Sequence, residues 1–249
     1  MPEAYSEHFQ NTAEATQYET GEYAPRSYSS LLWEIEQSQL SAVIQQLRQT
    51  RAVICALDFA TGTGRIASFL ETQVDSVTGI EISGEMCELA KKKVRRGAII
   101  CADILSPGAI VEGKYDLITA FRFFLNTEPS LRLTALKALA ARLRDRDSLL
   151  VFNNHGNLWS HKLLTWPYHA ARRMGKGRSV KGNYLTTGQV RRLLPKAGLK
   201  LLDIRGCGFY SSKILKVRSY DATLRAEQRA AHGALSRFCV NQLYVAGLS

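Results

Sequence analysis

Residues 52–65 read A-V-I-C-A-L-D-F-A-T-G-T-G-R, and this stretch decides the fold. Residues 53–57 form a short apolar run with β-branched side chains, which predicts a buried strand. Ala60, Gly62 and Gly64 follow at alternate positions, and apolar residues then recur at helical spacing. The stretch therefore predicts a strand, a tight turn and a helix. A turn without bulky side chains lets the backbone come close to a ligand, and the start of a helix offers unpaired N–H groups.

The spacing of these small residues, and the acid before them, limit what the ligand can be. The pattern Ala60-x-Gly62-x-Gly64 differs from the G-x-G-x-x-G of dinucleotide-binding proteins, so a nicotinamide enzyme is a remote alternative. Asp58 would repel a pyrophosphate and would instead suit a ligand with a cationic amine. A turn that merely packs the helix on the strand is the other interpretation. The segment D-F-A-T-G-T-G resembles motif I of the class I S-adenosylmethionine-dependent methyltransferases.

Two further acids are predicted at the ends of the next two strands. Residues 76–81 read as a strand ending at Glu81, roughly 20 residues past the glycines, where a parallel neighbour places a carboxylate beside a ribose. One carboxylate can accept from both ribose hydroxyls. Residues 98–103 read as a third strand ending at Asp103. The segments G-I-E-I-S and C-A-D-I-L resemble the next two family motifs. For Asp103 this implies a bond from the adenine amino group, with a loop cap as the alternative.

The resemblance implies that S-adenosylmethionine is the cofactor, with the ring faces of its adenine lined by Ile82 and Ile104. The cofactor-binding residues that it implies in the methyltransferase domain are Asp58, Ala60, Thr61, Gly62, Gly64, Arg65, Glu81, Ile82, Met86, Asp103, Ile104, Ala120, Phe121 and Arg122.

Residues 1–48 are predicted to form an N-terminal helical cap. From Ser27 onward, apolar residues recur at helical spacing, which predicts one or two amphipathic helices with Ser27 or Ser30 as N-cap. Members of the family commonly place such helices over the cofactor as a lid. The resemblance therefore suggests three further contacts with cofactor or acceptor, with ordinary packing of a docked helix as the alternative for each. These are Tyr23, Arg26 and Tyr28.

The acceptor side is predicted at the ends of the fourth and fifth strands. Residues 115–120, Y-D-L-I-T-A, resemble motif IV, which implies that the segment after them lies beside the transferable methyl group. Arg122 there either faces the cofactor or an anionic acceptor, or extends outward to solvent. Residues 147–152 read as the fifth strand, followed by a polar loop, N-N-H-G-N. His155 in this loop is the candidate general base, and a histidine bonded to its own loop is the alternative.

The predicted fold class is α/β, a doubly wound and mostly parallel sheet. The resemblance implies seven strands in the order 3-2-1-4-5-7-6, with the last strand antiparallel. It divides the chain into the cap and a methyltransferase domain at residues 49–249, with a variable acceptor-side insertion at about residues 156–185. Within the domain, the helix that follows the second strand is predicted from Ser83 to Arg96, ending at Gly97.

Composition excludes some classes of protein and leaves others open. The 249 residues carry a formal charge of +11, with a basic excess in residues 172–192 that could meet RNA or an anionic surface, or be a solvated face. The five cysteines form no C-x-x-C pair, which predicts reduced, mostly buried thiols and no metal site. No apolar run reaches the length needed to span a bilayer, and the first residues do not resemble a secretory signal, so we expect a cytoplasmic protein.

The resemblance implies an S-adenosylmethionine-dependent methyltransferase, and our first hypothesis is that it acts on a small-molecule acceptor, such as a sugar or natural-product intermediate, by O- or N-methylation. The fourth strand lacks the N-P-P-Y tetrapeptide of the amino-directed DNA and protein-glutamine branches. Two alternatives remain open at this point. One is an RNA methyltransferase that uses residues 172–192, and the other is a non-catalytic protein that keeps the cofactor fold to bind a partner.

Overall fold

A computed structural model describes residues 24–103, 105, 113–125, 127–157, 159–160 and 185–249. Within these ranges, seven strands form one sheet. Their bounds are β1 Cys55–Phe59, β2 Ser76–Glu81, β3 Ala98–Cys101, β4 Leu117–Ala120, β5 Leu149–Asn154, β6 Leu199–Cys207 and β7 Asn241–Leu248.

Six α-helices accompany the strands in the described part of the chain. They are α1 Tyr28–Arg48, α2 Arg65–Leu70, α3 Gly84–Lys93, α4 Pro129–Ala140, α5 Thr187–Leu193 and α6 Tyr220–His232. Ser27 is the N-cap of α1 and its hydroxyl accepts from the Ser30 N–H, as one of the two predicted caps requires. Short 3₁₀ helices follow α5, β6 and α6, at Leu194–Ala197, Ser212–Lys216 and Ala234–Phe238.

The strand order is β3-β2-β1-β4-β5-β7-β6, which confirms the predicted topology. The pairs among β1 to β5 are parallel, and β7 runs antiparallel to both β5 and β6. The carboxyl ends of β1, β2, β3, β4 and β5 therefore meet at one edge of the sheet. In open α/β sheets this edge is where ligands bind.

The core lies in two layers, one on each face of the sheet. On one face, α1 buries Leu40, Val43 and Ile44 against β1, β4, β5 and β7. On the other face, Phe124 packs between Phe123 and Phe152, at ring-centroid distances of 5.1 and 5.0 Å. Burial of each such side chain contributes roughly 1.5–3 kcal/mol, so α1 is held along the whole sheet rather than at its edge alone.

Two predicted boundaries need correction. Helix α3 ends at Lys93 rather than near Gly97, because the Glu71 carboxylate accepts from the backbone N–H groups of Arg95 and Arg96 and holds that segment out of the helix. Strand β5 extends to Asn154, so the first two residues of the predicted polar loop belong to the strand. Their side chains therefore alternate between the two faces of the sheet.

The prediction of reduced thiols is wrong for one pair. Cys87 in α3 and Cys101 at the end of β3 form a disulfide, with their Cα atoms 6.0 Å apart. Helix α3 connects β2 to β3 and packs back against them, so residues 14 apart in sequence become neighbours. Cys55, Cys207 and Cys239 are free thiols.

The described residues contain neither a metal-binding cluster nor a membrane-spanning helix. No group of three or more His, Cys, Asp or Glu side chains in these ranges is arranged to hold a metal ion. Among the described helices, none combines the length and the apolar character that crossing a bilayer requires.

Candidate functional site

Asp58 lies at the end of β1 and is almost fully buried, at 1% exposure. Its carboxylate accepts from the Thr61 hydroxyl and, at 2.7 Å, from the Thr119 hydroxyl of β4. Burial raises its pKa from the ordinary 3.8 to about 6, while the two hydroxyls and the nearby Arg65 charge act in the opposite direction. The side chain therefore joins β1, the following turn and β4, and titrates near neutral pH.

The turn after β1 explains why small residues are needed there. Ala60, Gly62 and Gly64 all have positive φ, at 54°, 56° and 82°. L-residues with a Cβ adopt this region at a cost of roughly 1–2 kcal/mol. A Cβ on Gly64 would also lie 3.0 Å from the Ala90 Cα of α3, closer than ordinary packing allows. The glycines thus let β1 turn sharply into α2 while α3 packs closely against the turn.

Glu81 at the end of β2 holds this turn in place. Its Oε2 accepts from the Gly62 N–H at 2.8 Å, and its Oε1 accepts from the Ile82 and Ser83 N–H groups at 3.0 Å each. Burial raises the pKa of the carboxyl, and these three backbone bonds oppose the shift. A carboxylate offers about four acceptor positions, so Glu81 can take a further donor while it keeps these bonds. Sequence reasoning assigned Glu81 to a ribose and missed its role in ordering the motif I turn.

The predicted adenine side lies beyond β2 and β3. Ile82 is 46% exposed, whereas Met86, one turn into α3, is buried. Asp103 is half-buried and its Oδ1 accepts from the Leu105 N–H at 2.9 Å, which is the loop cap considered as the alternative. The adenine contact stays a prediction. Ile104 lies outside the described residues.

The predicted methyl end of the site lies after β4. Ala120 and Phe121 are buried, and Arg122 has a left-handed backbone, with φ of 59°. The Arg122 N–H donates to Asn153 Oδ1 at 2.6 Å. Asn153 in turn donates through Nδ2 to Glu36 Oε1 of α1, at 3.0 Å. Sequence reasoning missed Asn153 and Glu36. The signal for Glu36 was its position between the apolar residues of α1 that face the sheet.

Helix α1 also brings an aromatic residue to the motif I turn. The Arg65 guanidinium lies over the Trp33 ring, 4.5 Å from its centroid. Trp33 packs edge-on against Phe69 of α2 and Phe121, with centroid distances of 5.7 and 6.4 Å. Trp33 was not among the predicted site residues, although its i, i+3 relation to Glu36 places the two on one helix face.

Arg26 and Tyr28 tie the start of α1 to α6. Arg26 pairs with Asp221 at 3.6 Å. The Tyr28 hydroxyl donates to the buried Glu227 carboxylate and to the Tyr210 carbonyl, and burial with the Glu227 charge raises the Tyr28 pKa. None of these described contacts involves Asp58 or Glu81, so contact of Arg26 or Tyr28 with a cofactor stays a prediction. Tyr23 lies outside the described residues.

The acceptor side is described in part. Asn154 bonds through its side chain to both the carbonyl and the N–H of Leu185, which fixes the end of the insertion against β5. His155 follows directly and is half-buried at the ligand-facing edge, where its role as a base stays a prediction. Residues 161–184, which hold most of the basic stretch, lie outside the described ranges. Arg191 and Arg192 of that stretch are exposed on α5.

Comparison with known proteins adds family information to this geometry. Residues 56–146 match the family model described as a methyltransferase domain. Over 151 residues the chain is 30% identical to malonyl-[acyl-carrier protein] O-methyltransferase of Priestia megaterium. That match covers 57% of this chain and 52% of the relative, so the chain spans about half the length of the curated relative it matches.

Solved structures with the same fold cover nearly the whole chain. Magnesium protoporphyrin IX methyltransferase from Synechocystis, solved with S-adenosylhomocysteine bound, superposes with a TM-score of 0.63 at 14% identity, covering 97% of each chain. An S-adenosylmethionine-dependent methyltransferase from Clostridium acetobutylicum superposes with a TM-score of 0.61 at 14% identity, covering 95% of this chain and 98% of that one. At these identities the likeness concerns the fold.

Proposed function

We propose that this chain transfers the methyl group of S-adenosylmethionine to a small-molecule acceptor, because residues 56–146 match a methyltransferase domain and the fold is that of solved methyltransferases. The observation that carries the proposal is the arrangement of two buried carboxylates on neighbouring parallel strands. Asp58 and Glu81 end β1 and β2, and the Gly62 N–H joins the turn after one to the carboxylate of the other.

The residues present fit this cofactor chemically. Asp58 is a buried carboxylate that accepts from two neutral hydroxyls and has the Arg65 charge nearby. An ammonium group would add further compensating charge at this buried position. Glu81 has acceptor capacity left for one hydroxyl of a ribose while it keeps its three backbone bonds. Asp103 would accept from the adenine amino group, with Ile82 and Met86 beside the ring. A pyrophosphate would meet two carboxylates instead, which disfavours a dinucleotide.

When bound, the cofactor supplies a methyl group on a positively charged sulfur that is a good leaving group. The chain's own residues align the reactants and keep water out. Alignment of this kind is worth up to about 7–11 kcal/mol of the barrier. The segment Ala120–Arg122 and the end of β5 would form the wall at the methyl side. His155 would accept a proton only if the acceptor must lose one, as a hydroxyl does.

The acceptor is proposed as a small organic molecule methylated on oxygen or nitrogen. The relatives named above are described as methylating a carrier-bound malonyl group and a magnesium protoporphyrin. Phe123 and Phe124, which follow β4, and Phe152 of β5 are buried in one aromatic cluster next to the strand ends that we propose to face the acceptor. Among the described residues, no observation favours RNA over a small acceptor.

The test is a transfer assay. The purified chain would be incubated with S-adenosylmethionine and pools of carboxylic acids, sugars, phenols and amines, while S-adenosylhomocysteine release and methylated products are followed by mass spectrometry. We expect acceptor-dependent release with the wild type and none with Glu81→Ala. Release that is the same in both proteins would contradict the proposal. A Glu81→Ala variant that keeps the cellular activity of the wild type would favour the non-catalytic alternative.

A further inference from the structure

Asn153 connects three elements at the methyl side of the site. It is 1% exposed at the end of β5. Its Oδ1 accepts from the Arg122 N–H after β4 at 2.6 Å, and its Nδ2 donates to Glu36 Oε1 of α1 at 3.0 Å. One side-chain amide therefore links the helix on the sheet face to the segment that follows the fourth strand.

The segment after β4 needs such a support. Arg122 has a φ of 59°, a left-handed conformation that a residue with a Cβ adopts rarely. Backbone of this kind persists where the surrounding structure over-determines it, and it clusters at ligand sites. The short bond from the Arg122 N–H to Asn153 is one such determinant. The edge contact of Phe121 with Trp33 of α1 is a second one.

Glu36 decides which way the Asn153 amide points. Glu36 is a carboxylate at 5% exposure, and no ion pair to it occurs within the described ranges. An ionised carboxylate only accepts hydrogen bonds, so the amide nitrogen of Asn153 must face it. The amide oxygen is then left facing Arg122, whose N–H requires an acceptor. The Glu36–Asn153 bond thus leaves the amide oxygen facing the Arg122 backbone, which Glu36 itself does not touch.

We propose that Glu36 and Asn153 are positioning residues of the cofactor site. Glu36 orients the Asn153 amide, and Asn153 holds the Arg122 peptide so that Ala120–Arg122 keeps its shape at the methyl end. This inference rests on the proposed function, since it assigns the pair to the S-adenosylmethionine site. Neither residue belongs to the predicted cofactor contacts, so the effect on binding is transmitted through the backbone.

A paired substitution tests the proposal. Asn153→Asp places two carboxylates against each other and removes the donor to Glu36, while an oxygen still faces the Arg122 N–H. Adding Glu36→Gln restores a donor, because the glutamine amide can donate to the new aspartate. Calorimetric titration with S-adenosylmethionine at pH 8 should show a dissociation constant raised roughly 10- to 100-fold in Asn153→Asp. In the double variant, the constant should return to within about threefold of the wild type.

Glu34→Gln is the matched control, since Glu34 lies on the same helix and its carboxylate accepts from Tyr220 instead. It should bind like the wild type. Each titration is run below the melting temperature of its variant, with far-UV circular dichroism confirming the fold. If Asn153→Asp does not fold, the folded double variant is compared with Glu36→Ala, which removes the partner that orients the amide and should weaken binding about tenfold.

The outcomes separate this inference from the proposed function. A wild type that does not bind S-adenosylmethionine would overturn the cofactor assignment itself. Normal binding by the wild type with equal binding by Asn153→Asp or Glu36→Ala would overturn the positioning role alone. A double variant that regains its melting temperature without regaining affinity would also overturn it, because the pair would then be a structural contact only.

Discussion

Replacing Asp58 with asparagine should make the ligand-free protein more stable at pH 8 while removing the charge that we propose to recognise the cofactor amine. Asp58 is buried, and burial raises its pKa from 3.8 to about 6. The folded protein therefore binds a proton more tightly at this site than the unfolded chain does. The stabilisation that comes from this proton is fully present below about pH 3.8 and is lost as the pH rises through about 6.

The size of the effect follows from those two pKa values. The difference between the folded and unfolded pKa means that ionised Asp58 lowers the unfolding free energy by about 3 kcal/mol above pH 6. Asparagine carries no charge, so it avoids this cost. It can accept from only one of the Thr61 and Thr119 hydroxyls through its oxygen, and the other hydroxyl must accept from the amide. This rearrangement costs roughly 1 kcal/mol, so the unfolding free energy should rise by a net total of about 1–3 kcal/mol.

Thermal unfolding of the wild type and Asp58→Asn at a series of pH values measures this gain. For a chain of this size, each kcal/mol shifts the melting temperature by about 2–4 °C, so we expect a rise of roughly 2–12 °C at pH 8. Near pH 4 the rise should almost vanish. Asp147→Asn is the matched control, because Asp147 is exposed and its replacement changes the net charge equally.

The same titration should control binding. Wild-type affinity for S-adenosylmethionine should fall as the pH is lowered through about 6, since a protonated Asp58 no longer attracts an ammonium group. Asp58→Asn should bind weakly at every pH, without this dependence. If Asp58→Asn is less stable than the wild type at pH 8, or gains the same stability at pH 4 and pH 8, then burial of the ionised Asp58 carboxylate does not destabilise the fold as proposed.

Three further predictions concern the turn after β1, the Glu81 carboxylate and the Cys87–Cys101 disulfide. Gly64→Ala should lower the unfolding free energy by about 2–4 kcal/mol in denaturant titrations, because of its positive φ and the contact with α3, whereas Gly84→Ala, with open space around it, should not. Glu81→Gln should weaken S-adenosylmethionine binding at least roughly 100-fold in calorimetry, because the new amide nitrogen would face a backbone N–H, which is also a donor. Near-normal affinity would contradict this prediction. Reduction of the Cys87–Cys101 disulfide should lower the melting temperature by roughly 6–12 °C, because closing this loop contributes about 3 kcal/mol to stability. Titration of all five cysteines as free thiols before reduction would contradict the pairing.

Much of the geometry of the candidate cofactor site could be predicted from sequence, because its residues lie at the ends of successive strands. The strand periodicity placed Asp58 and Glu81 at one edge, and parallel pairing then made them neighbours. Local chemistry also predicted a serine cap at Ser27 or Ser30, of which Ser27 is the one formed, and the need for Gly62 and Gly64 in a tight turn. These features depend on residues close together in the chain.

What sequence reasoning missed depends on how distant elements dock. Trp33 and Glu36 meet the site only because α1 lies along the sheet with that face inward. Asn153 was read as part of a loop, since the polar residues at the end of β5 conceal the alternation of a strand. The Cys87–Cys101 pair requires α3 to fold back on β3, and spacing alone does not reveal that. Tertiary contacts of this kind leave little signal in local patterns.

Calorimetric titration of the purified chain with S-adenosylmethionine, S-adenosylhomocysteine and NAD, run in parallel at pH 8, tests whether Asp58 and Glu81 bind this cofactor. We expect one binding site, with micromolar affinity for both sulfur compounds and no heat with NAD. Binding of NAD, or silence from both sulfur compounds in a protein that unfolds cooperatively, would contradict the assignment of Asp58 and Glu81 to this cofactor.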